Sequence, residues 1–386
     1  MIIGVPKEIK NNENRVAIIP EKAAILSKQN HNILIESNAG TAAGYPDKDY
    51  INSGCTIILN VEEIYKNAEL ITKVKEPLES EYKYLNKKSI LFTFLHLAAN
   101  KNLVMNLLKS EMTSIAYEAI TKNGKTFPLL KPMSEIAGKL APQIAANFLQ
   151  KQYGGPGLLI GGTSNINPLN ISIIGAGIVG YNAAIISKGI GANVTIFDID
   201  NNKLLNIKNY DKKIKTQLSS KENLTKYLPS SDIIINGIYI PGSQTPKIID
   251  ESIQKIIKKN ALIIDIAIDQ GGGVTNLNST SHDKPIVKLN HFYGYAVPNM
   301  PGIVPKTASQ ALNDATHKYI ELIANHGFES CLINNKEIFN AVNTYKGKLT
   351  TKPVSESLDL NYNSLDKIIK WNYYEYHKRS NQNTGR

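Results

Sequence analysis

The sequence predicts an α/β protein with two doubly wound, mainly parallel sheets. Three observations carry this. Short Ile- and Val-rich runs alternate with polar or glycine-bearing segments, and one of the runs ends in a glycine-rich turn. The 386 residues also suffice for two domains at about 150 residues each. Apolar runs this short suit strands buried on both sheet faces rather than amphipathic helices.

In chain order, Met1–Val5, Ile33–Ser37, Ile57–Leu59, Leu70–Val74, Ile90–Phe94 and Thr113–Tyr117 are expected strands, with Glu21–Gln29 and Asn102–Lys109 as helices among them. Leu129–Gln150 is expected to be helical and to lead into a second unit. There Ile171–Ile174, Val194–Phe197, Ile233–Asn236 and Leu262–Ile266 are expected strands, and Ala183–Lys188 and Ile248–Ile257 helices. Strand–helix alternation of this kind implies a parallel sheet covered on both faces. Ser309–Ala324 has helical apolar spacing and is expected to return to the first unit. The stretch Asn361–Arg386 is polar with a Trp-Asn-Tyr-Tyr-Glu-Tyr cluster, read as a short docked helix and a loose end. No period of solenoid length recurs.

Hydrophobic residues make up 42% and charged residues 20%, which argues against a largely disordered chain. Lys and Arg number 44 against 33 Asp and Glu, a formal net charge of +11. That excess admits nucleic acid, an anionic membrane surface or anionic metabolites as partners. No helix-turn-helix, RNP-type strand or arginine-rich run supports nucleic acid. The most apolar long run, Ile171–Ser187, contains three glycines, a Tyr and an Asn and falls short of the ~20 apolar residues of a membrane span. The amino terminus lacks the basic flank and apolar core of a secretory signal, so a cytoplasmic protein is expected. The two cysteines, Cys55 and Cys331, exclude a disulfide scaffold and a multi-cysteine zinc site, and no metal is expected. Abundant Asn, Lys and Ile accounts for part of the basic excess without any function.

The strongest single motif is Ile171-Ser-Ile-Ile-Gly175-Ala-Gly177-Ile178-Val-Gly180. A G-x-G-x-x-G alone is weak evidence, but here it follows a strand and opens a helix. The next strand ends at Asp198, 23 positions after Gly175 and near the spacing of a ribose-binding carboxylate. Gly175 permits the tight turn, Gly177 lets backbone approach a pyrophosphate, and Gly180 lets helix and strand pack closely. The helix start offers unpaired N–H groups and partial positive charge. A carboxylate at Asp198 accepts ribose hydroxyls and repels a 2′-phosphate, favouring NAD over NADP. Lys203 reaches the adenosine end, unless it is a solvated surface lysine. Ligands in such sheets sit beyond the carboxyl ends of the strands, which nominates Ile238–Ile240, Tyr239 among them, and Ile266–Asp269 as further contacts.

Three polar residues of the first unit stand apart. Arg15 precedes the apolar stretch Val-Ala-Ile-Ile-Pro, Lys75 closes Leu-Ile-Thr-Lys-Val-Lys, and His96 follows Ile-Leu-Phe-Thr-Phe-Leu. Lys75 and His96 sit at or just past expected strand ends, where side chains converge on a cleft. Taken singly, each reads equally as a solvated charge or a satisfied core histidine.

At these residues the chain resembles the alanine dehydrogenase family. The resemblance runs from Met1 to about Asp359 and rests on ungapped blocks in the family's order. These are Gly-Val-Pro-Lys-Glu-Ile-Lys-Asn-Asn-Glu-Asn-Arg-Val-Ala (4–17), Lys-Val-Lys-Glu-Pro (73–77) and Phe-Thr-Phe-Leu-His-Leu-Ala (92–98). Pro-Met-Ser-Glu-Ile-Ala-Gly (132–138), Asp-Ile-Ala-Ile-Asp-Gln-Gly-Gly (265–272) and Asn-Met-Pro-Gly-Ile-Val-Pro-Lys-Thr (299–307) complete them. The resemblance implies two Rossmann-like domains with a cleft between them: a discontinuous substrate domain, 1–128 plus 307–386, and an NAD-binding domain, 129–306. It implies reversible, NAD-dependent oxidative deamination of L-alanine to pyruvate and ammonium, in a homohexamer with no nucleic-acid or membrane partner.

It further implies that Arg15 and Lys75 bind the substrate carboxylate and that His96 is the acid–base group. Asp269 is carried over as a second acid–base group or as a ligand of the nicotinamide ribose. Ser134 falls near the cofactor phosphates and Ser219 near the adenine, while Asn299 and Met300 line the substrate end. Glu118 matches the family but reads equally as a buried structural acid, and Asp265 as structural. Departures are the segment 294–299, Tyr239 in place of a smaller aliphatic, and a longer tail. The nearest rival is the NAD-binding subunit of proton-translocating transhydrogenase, which shares the Arg-Val-Ala block but typically lacks the Lys-Glu-Pro and Leu-His-Leu-Ala features. An opine or saccharopine-type dehydrogenase is a lesser alternative.

Overall fold

The computed structural model describes residues 1–238 and 245–369. Tyr239 and the Trp-Asn-Tyr-Tyr-Glu-Tyr cluster lie outside those residues. The strands of the amino-terminal part are β1 (Ile2–Val5), β2 (Asn32–Glu36), β3 (Thr56–Ile58), β4 (Leu70–Thr72), β5 (Ile90–Thr93) and β6 (Thr113–Ala116). Those of the middle are β7 (Asn170–Ile174), β8 (Asn193–Asp198), β9 (Lys215–Leu218), β10 (Ile233–Asn236), β11 (Leu262–Asp265), β12 (Ile286–Leu289) and β13 (Phe292–Tyr295). Near the end follow β14 (Val342–Tyr345) and β15 (Lys348–Leu349).

The chain divides into two compact units. One takes residues 1–132 and the chain from Val304 onward, and the other takes Met133–Ile303. In the first unit the strands lie in the order β15-β14-β6-β5-β4-β1-β2-β3. The six from β1 to β6 run parallel, and β14 and β15 pair antiparallel at one edge. Read from β3, this is the doubly wound order 3-2-1-4-5-6, whose crevice opens where the winding reverses, between β1 and β4. Gly4 in β1 is needed for close packing there. A Cβ on it would lie 2.5 Å from Ile64 and 2.8 Å from Ala68, so the helix Val61–Asn67 rests directly on the strand.

The second unit repeats the winding, in the order β12-β13-β11-β10-β7-β8-β9. Its strands are parallel except for the β12–β13 edge pair. One face buries Ile174, Phe197, Ile234, Ile263 and Phe292 against Leu224, Leu228, Ile253 and Ile257. All four expected strands of this unit occur, with ends shifted by a residue or so.

Some elements differ from expectation. The helix expected at Ile248–Ile257 is only Glu251–Gln254. Ile249 instead bridges Val274 in extended backbone, and the Asp250 carboxylate starts the helix by accepting the Ile253 N–H at 2.9 Å. The helix expected from Ala183 begins at Ile178, because it springs straight from the glycine turn. Strands β9, β12, β13, β14 and β15 have no counterpart in the apolar-run reading. They lie at or next to sheet edges, where a strand needs few apolar residues.

The helix Pro305–His326 packs on the first unit. The Val16 N–H donates to Ser309 Oγ at 3.0 Å, and the Ile19 N–H to Asn313 Oδ1 at 2.8 Å. Asn313 Nδ2 returns a bond to the Val16 carbonyl. These buried polar contacts fix the backbone immediately after Arg15.

Candidate active site

In the first unit, the nominated residues follow the carboxyl ends of neighbouring strands. Arg15 comes after β1, Lys75 after β4 and His96 after β5, so chemistry-bearing side chains gather on both sides of the reversal in winding. Each is held by a glutamate.

Arg15 is 2% exposed and faces Glu13. Its Nε donates to Oε1 at 2.7 Å, its Nη2 to Oε2 at 2.5 Å, and its backbone N–H to Oε1 at 3.0 Å. The donor fork expected for a substrate carboxylate is therefore engaged along its Nε–Nη2 edge, which locks the guanidinium plane. Burial raises the Glu13 carboxyl's pKa, but the Arg15 charge and hydrogen bonds, with Lys75, overcome this and hold it near 2.

Lys75 is buried, and Glu8 fixes its backbone. Glu8 Oε1 accepts the Val74 N–H at 2.6 Å and the Lys75 N–H at 3.3 Å. Glu8 in turn faces Lys73, whose ammonium is wholly buried, 3.4 Å from Glu8 Oε2 and 3.0 Å from Glu81 Oε1. Glu81 also accepts from Tyr65 Oη and the Leu78 N–H. Burial raises the Glu8 pKa against the pull of Lys73. Burial acts on Lys73 in the opposite sense, and the two carboxylates outweigh it to keep the ammonium protonated.

His96 is half-buried and has left-handed backbone, φ +47°. Its ring stacks on Phe94, with centroids 5.9 Å apart and planes 11° from parallel. Glu118, just past β6, accepts the His96 N–H at 2.7 Å and the Leu95 N–H at 3.1 and 3.2 Å on its two oxygens. Burial and then the charges of Lys75, Lys10 and Arg15 push the imidazole from 6.5 down to about 3. At neutral pH it is an uncharged donor and acceptor among cations. Lys10 itself pairs with Glu76.

The second unit builds a phosphate-shaped turn. Gly175 has φ +95°, a left-handed position that favours glycine. A Cβ on Gly180 would lie 1.7 Å from the Gly175 carbonyl oxygen, whereas a Cβ on Gly177 would meet nothing within 4 Å. Gly180 is thus required by the fold, while Gly177 leaves open space over the turn. The helix Ile178–Gly189 starts at Gly177 with no side-chain cap, leaving first-turn N–H groups for an anion. Asp198 ends β8 and is 7% exposed. Its carboxylate accepts the Ala176 N–H at 2.6 Å and the Asp200 N–H at 2.9 Å, and Lys203 Nζ lies 3.8 Å away. Ser219 donates its N–H to the Asp198 carbonyl at 2.9 Å, which brings both to one corner. Ile238 meets the turn too, 3.2 Å from where a Gly175 Cβ would be.

Ser134 lies on the helix Lys131–Phe148, four residues before Gly138 and so on the same face. A Cβ on Gly138 would be 2.3 Å from the Val179 carbonyl, so this helix crosses the first turn of Ile178–Gly189 closely. Asp269 lies in the short turn Ile266–Gln270, and one carboxylate oxygen accepts the Asn299 N–H at 3.3 Å. Asn299 is left-handed, φ +60°, and Met300 is buried. Asp265, fully buried, accepts from Asn236 Nδ2 and the N–H groups of Ala267, Gly273 and Val274, which shapes the loop carrying Asp269. The sequence reading did not single out Glu8, Lys73 or Glu81. Its available signal was a lysine directly after a buried strand, a charge that needs a buried partner.

Among the described residues, no helix is long and apolar enough to cross a membrane. Residues 4–137 match the family model for the alanine dehydrogenase/PNT N-terminal domain, and residues 141–352 the model for its C-terminal domain. An alanine dehydrogenase of Staphylococcus saprophyticus is 41% identical over 372 residues, spanning 96% of this chain and all of that one. A solved L-alanine dehydrogenase superposes with a TM-score of 0.89 at 37% identity, covering 93% of this chain and 99% of the other. The transhydrogenase of Sinorhizobium meliloti shares the fold, with a TM-score of 0.78 at 18% identity over 91% of this chain and 99% of that one. With both domain models matched in order and the likeness extending over nearly all its length, the chain belongs to the alanine dehydrogenase/PNT family.

Proposed function

We propose that the chain is an NAD-dependent L-alanine dehydrogenase, interconverting L-alanine, water and NAD⁺ with pyruvate, ammonium, NADH and a proton. The observation that carries this reading is the first unit's cluster. Arg15, Lys75 and a neutral His96 follow neighbouring strand ends, each held by its own glutamate.

Arg15, its plane set by Glu13, and the compact charge of Lys75 bind the carboxylate common to alanine and pyruvate. Holding that group orients C2 for reaction. The turn of residues 175–180 and Asp198 would hold NAD, which would supply the hydride acceptor for C2. The uncharged His96 imidazole takes a proton from the water that adds to the resulting iminium carbon, and passes it to the nitrogen of that adduct. The C–N bond then breaks to release ammonia as the hydroxyl loses its proton and becomes the pyruvate carbonyl. In the reverse direction the imidazole returns that proton to the departing oxygen. The substrate's own carboxylate offsets the cations that depress His96, which raises the proton affinity of the imidazole once substrate is in place. Asp269 serves as the second acid–base group or as a ligand of the nicotinamide ribose.

The cofactor set is Ser134, Gly175, Gly177, Ile178, Gly180, Asp198, Lys203, Ser219, Ile238, Tyr239, Ile266, Asp269, Asn299 and Met300. Asn299 also serves the substrate. Open space above Gly177 and the ribose-ready carboxylate of Asp198 support NAD. The family resemblance supports a cytoplasmic homohexamer, with the unit of 1–132 and the chain end as substrate domain and the other as cofactor domain.

The test is NADH consumption with pyruvate plus ammonium, against either alone. Turnover is expected only with both, and His96→Ala should lose most of it. Full activity in that variant overturns the role of His96.

A further inference from the structure

We infer that Glu118 is a positioning residue for the reaction, acting through the backbone of His96; this rests on the catalytic role proposed above for His96. The geometry is specific. Strands β5 and β6 pair in parallel, with Phe92 opposite Ile115 and Thr93 opposite Ala116. Both strands end at the same edge, and their next residues leave the sheet side by side. After β5 the chain turns sharply, and His96 takes φ +47°, a conformation that costs a branched or bulky residue energy and persists only when its surroundings impose it. The two N–H groups entering this turn, on Leu95 and His96, have left the ladder. Both donate to the Glu118 carboxylate.

Glu118 thus replaces the missing strand partner with a single rigid acceptor. Phe94 holds the other degree of freedom, since the imidazole lies nearly parallel to its ring, and Tyr117, next to Glu118, packs edge-on against Phe94 at 5.1 Å. Backbone and ring of His96 are therefore both set from the end of β6. The charges that act on the imidazole come from Lys75, Lys10 and Arg15, so Glu118 works through its two hydrogen bonds and not through the field at the ring.

The test compares Glu118→Ala, which removes the acceptor, with Glu118→Gln, which keeps one carbonyl oxygen and removes the charge. In Glu118→Ala, kcat is expected to fall by about 100-fold, the scale of a displaced catalytic group. KM for pyruvate should stay within about threefold, because Arg15 and Lys75 are untouched. Glu118→Gln should recover most of kcat and keep the wild-type pH profile. Amide hydrogen exchange across Leu95–Leu97, measured without turnover, should accelerate in the Ala variant and stay slow in the Gln variant. The inference is overturned if folded Glu118→Ala keeps wild-type kcat, if kcat and KM worsen together, or if Gln is as poor as Ala. Unchanged exchange in Glu118→Ala also overturns it. Should the wild-type protein turn over no alanine, the functional reading fails by that measurement, while the exchange data still decide whether Glu118 holds the turn.

Discussion

Replacing Lys73 with Met tests whether the buried charge cluster beneath Lys75 is needed for both fold and substrate binding. The Lys73 ammonium is wholly buried between Glu81, at 3.0 Å, and Glu8, at 3.4 Å. At an effective dielectric near 20, each attraction is worth about 5 kcal/mol. Desolvating three ions costs several kcal/mol apiece, so the intact cluster is close to neutral in net stability. Removing only the cation is different, because two carboxylates then remain buried without it. The expected loss is about 3–5 kcal/mol, or roughly 6–20 °C in Tm for a unit of this size.

The deficit should depend on pH. Without Lys73, the folded-state pKa of Glu8, already raised by burial, loses the pull that lowers it and rises further above the unfolded value of about 4.3. The folded chain then binds more protons than the unfolded one, so stability falls as pH rises. Melting curves at pH 5 and pH 8 should therefore show the larger deficit at pH 8. KM for pyruvate should rise as well, because Glu8 fixes the Lys75 backbone. An unchanged Tm, or a deficit that grows on acidification, would refute this account of the cluster.

The two glycines of the turn separate fold from cofactor. Gly177→Ala should melt like the wild type yet bind NADH far more weakly, since its Cβ would enter the open space over the turn where backbone must approach the pyrophosphate. Gly180→Ala, with a Cβ 1.7 Å from the Gly175 carbonyl, should lose at least ~2 kcal/mol of stability by overpacking; the reverse pattern would sink the assignment. Asp198→Ala should cut the preference for NAD over NADP by roughly 10–100-fold, the worth of a charge-assisted hydrogen bond of about 1.5–3 kcal/mol. An unchanged kcat/KM ratio for the two cofactors would defeat the carboxylate argument.

Much of the fold could be read in the chain because buried parallel strands are written as short apolar runs. From β1 to β8 and in β10 and β11 the pattern is local, and a run such as Ile233–Asn236 needs no distant information to be placed. The glycine turn is largely local too: Gly175 answers to its own positive φ, and Gly180 to the Gly175 carbonyl five residues back. The edge strands were illegible for the opposite reason. Lys215–Leu218 is polar and half-exposed, and only its ladder with β8 makes it a strand. The helix expected over Ile248–Ile257 failed because Ile249 finds a distant partner in Val274, and a long-range bridge overrides local periodicity.

The sequence by itself determined the strand runs, the glycine turn with its acidic residue at the end of β8, and the blocks around Arg15, Lys75 and His96. Only the tertiary structure decided what holds the last two: Glu8 and Lys73 beneath Lys75, and Glu118 behind His96. The physical reason is the long-range nature of electrostatic pairing in a buried site. A charge taken out of water must find an opposite charge or a hydrogen bond, and that partner is set by which strand ends the sheet brings together. Glu8 and Val74 are far apart in sequence and 2.6 Å apart in space because β1 and β4 are neighbours in the sheet.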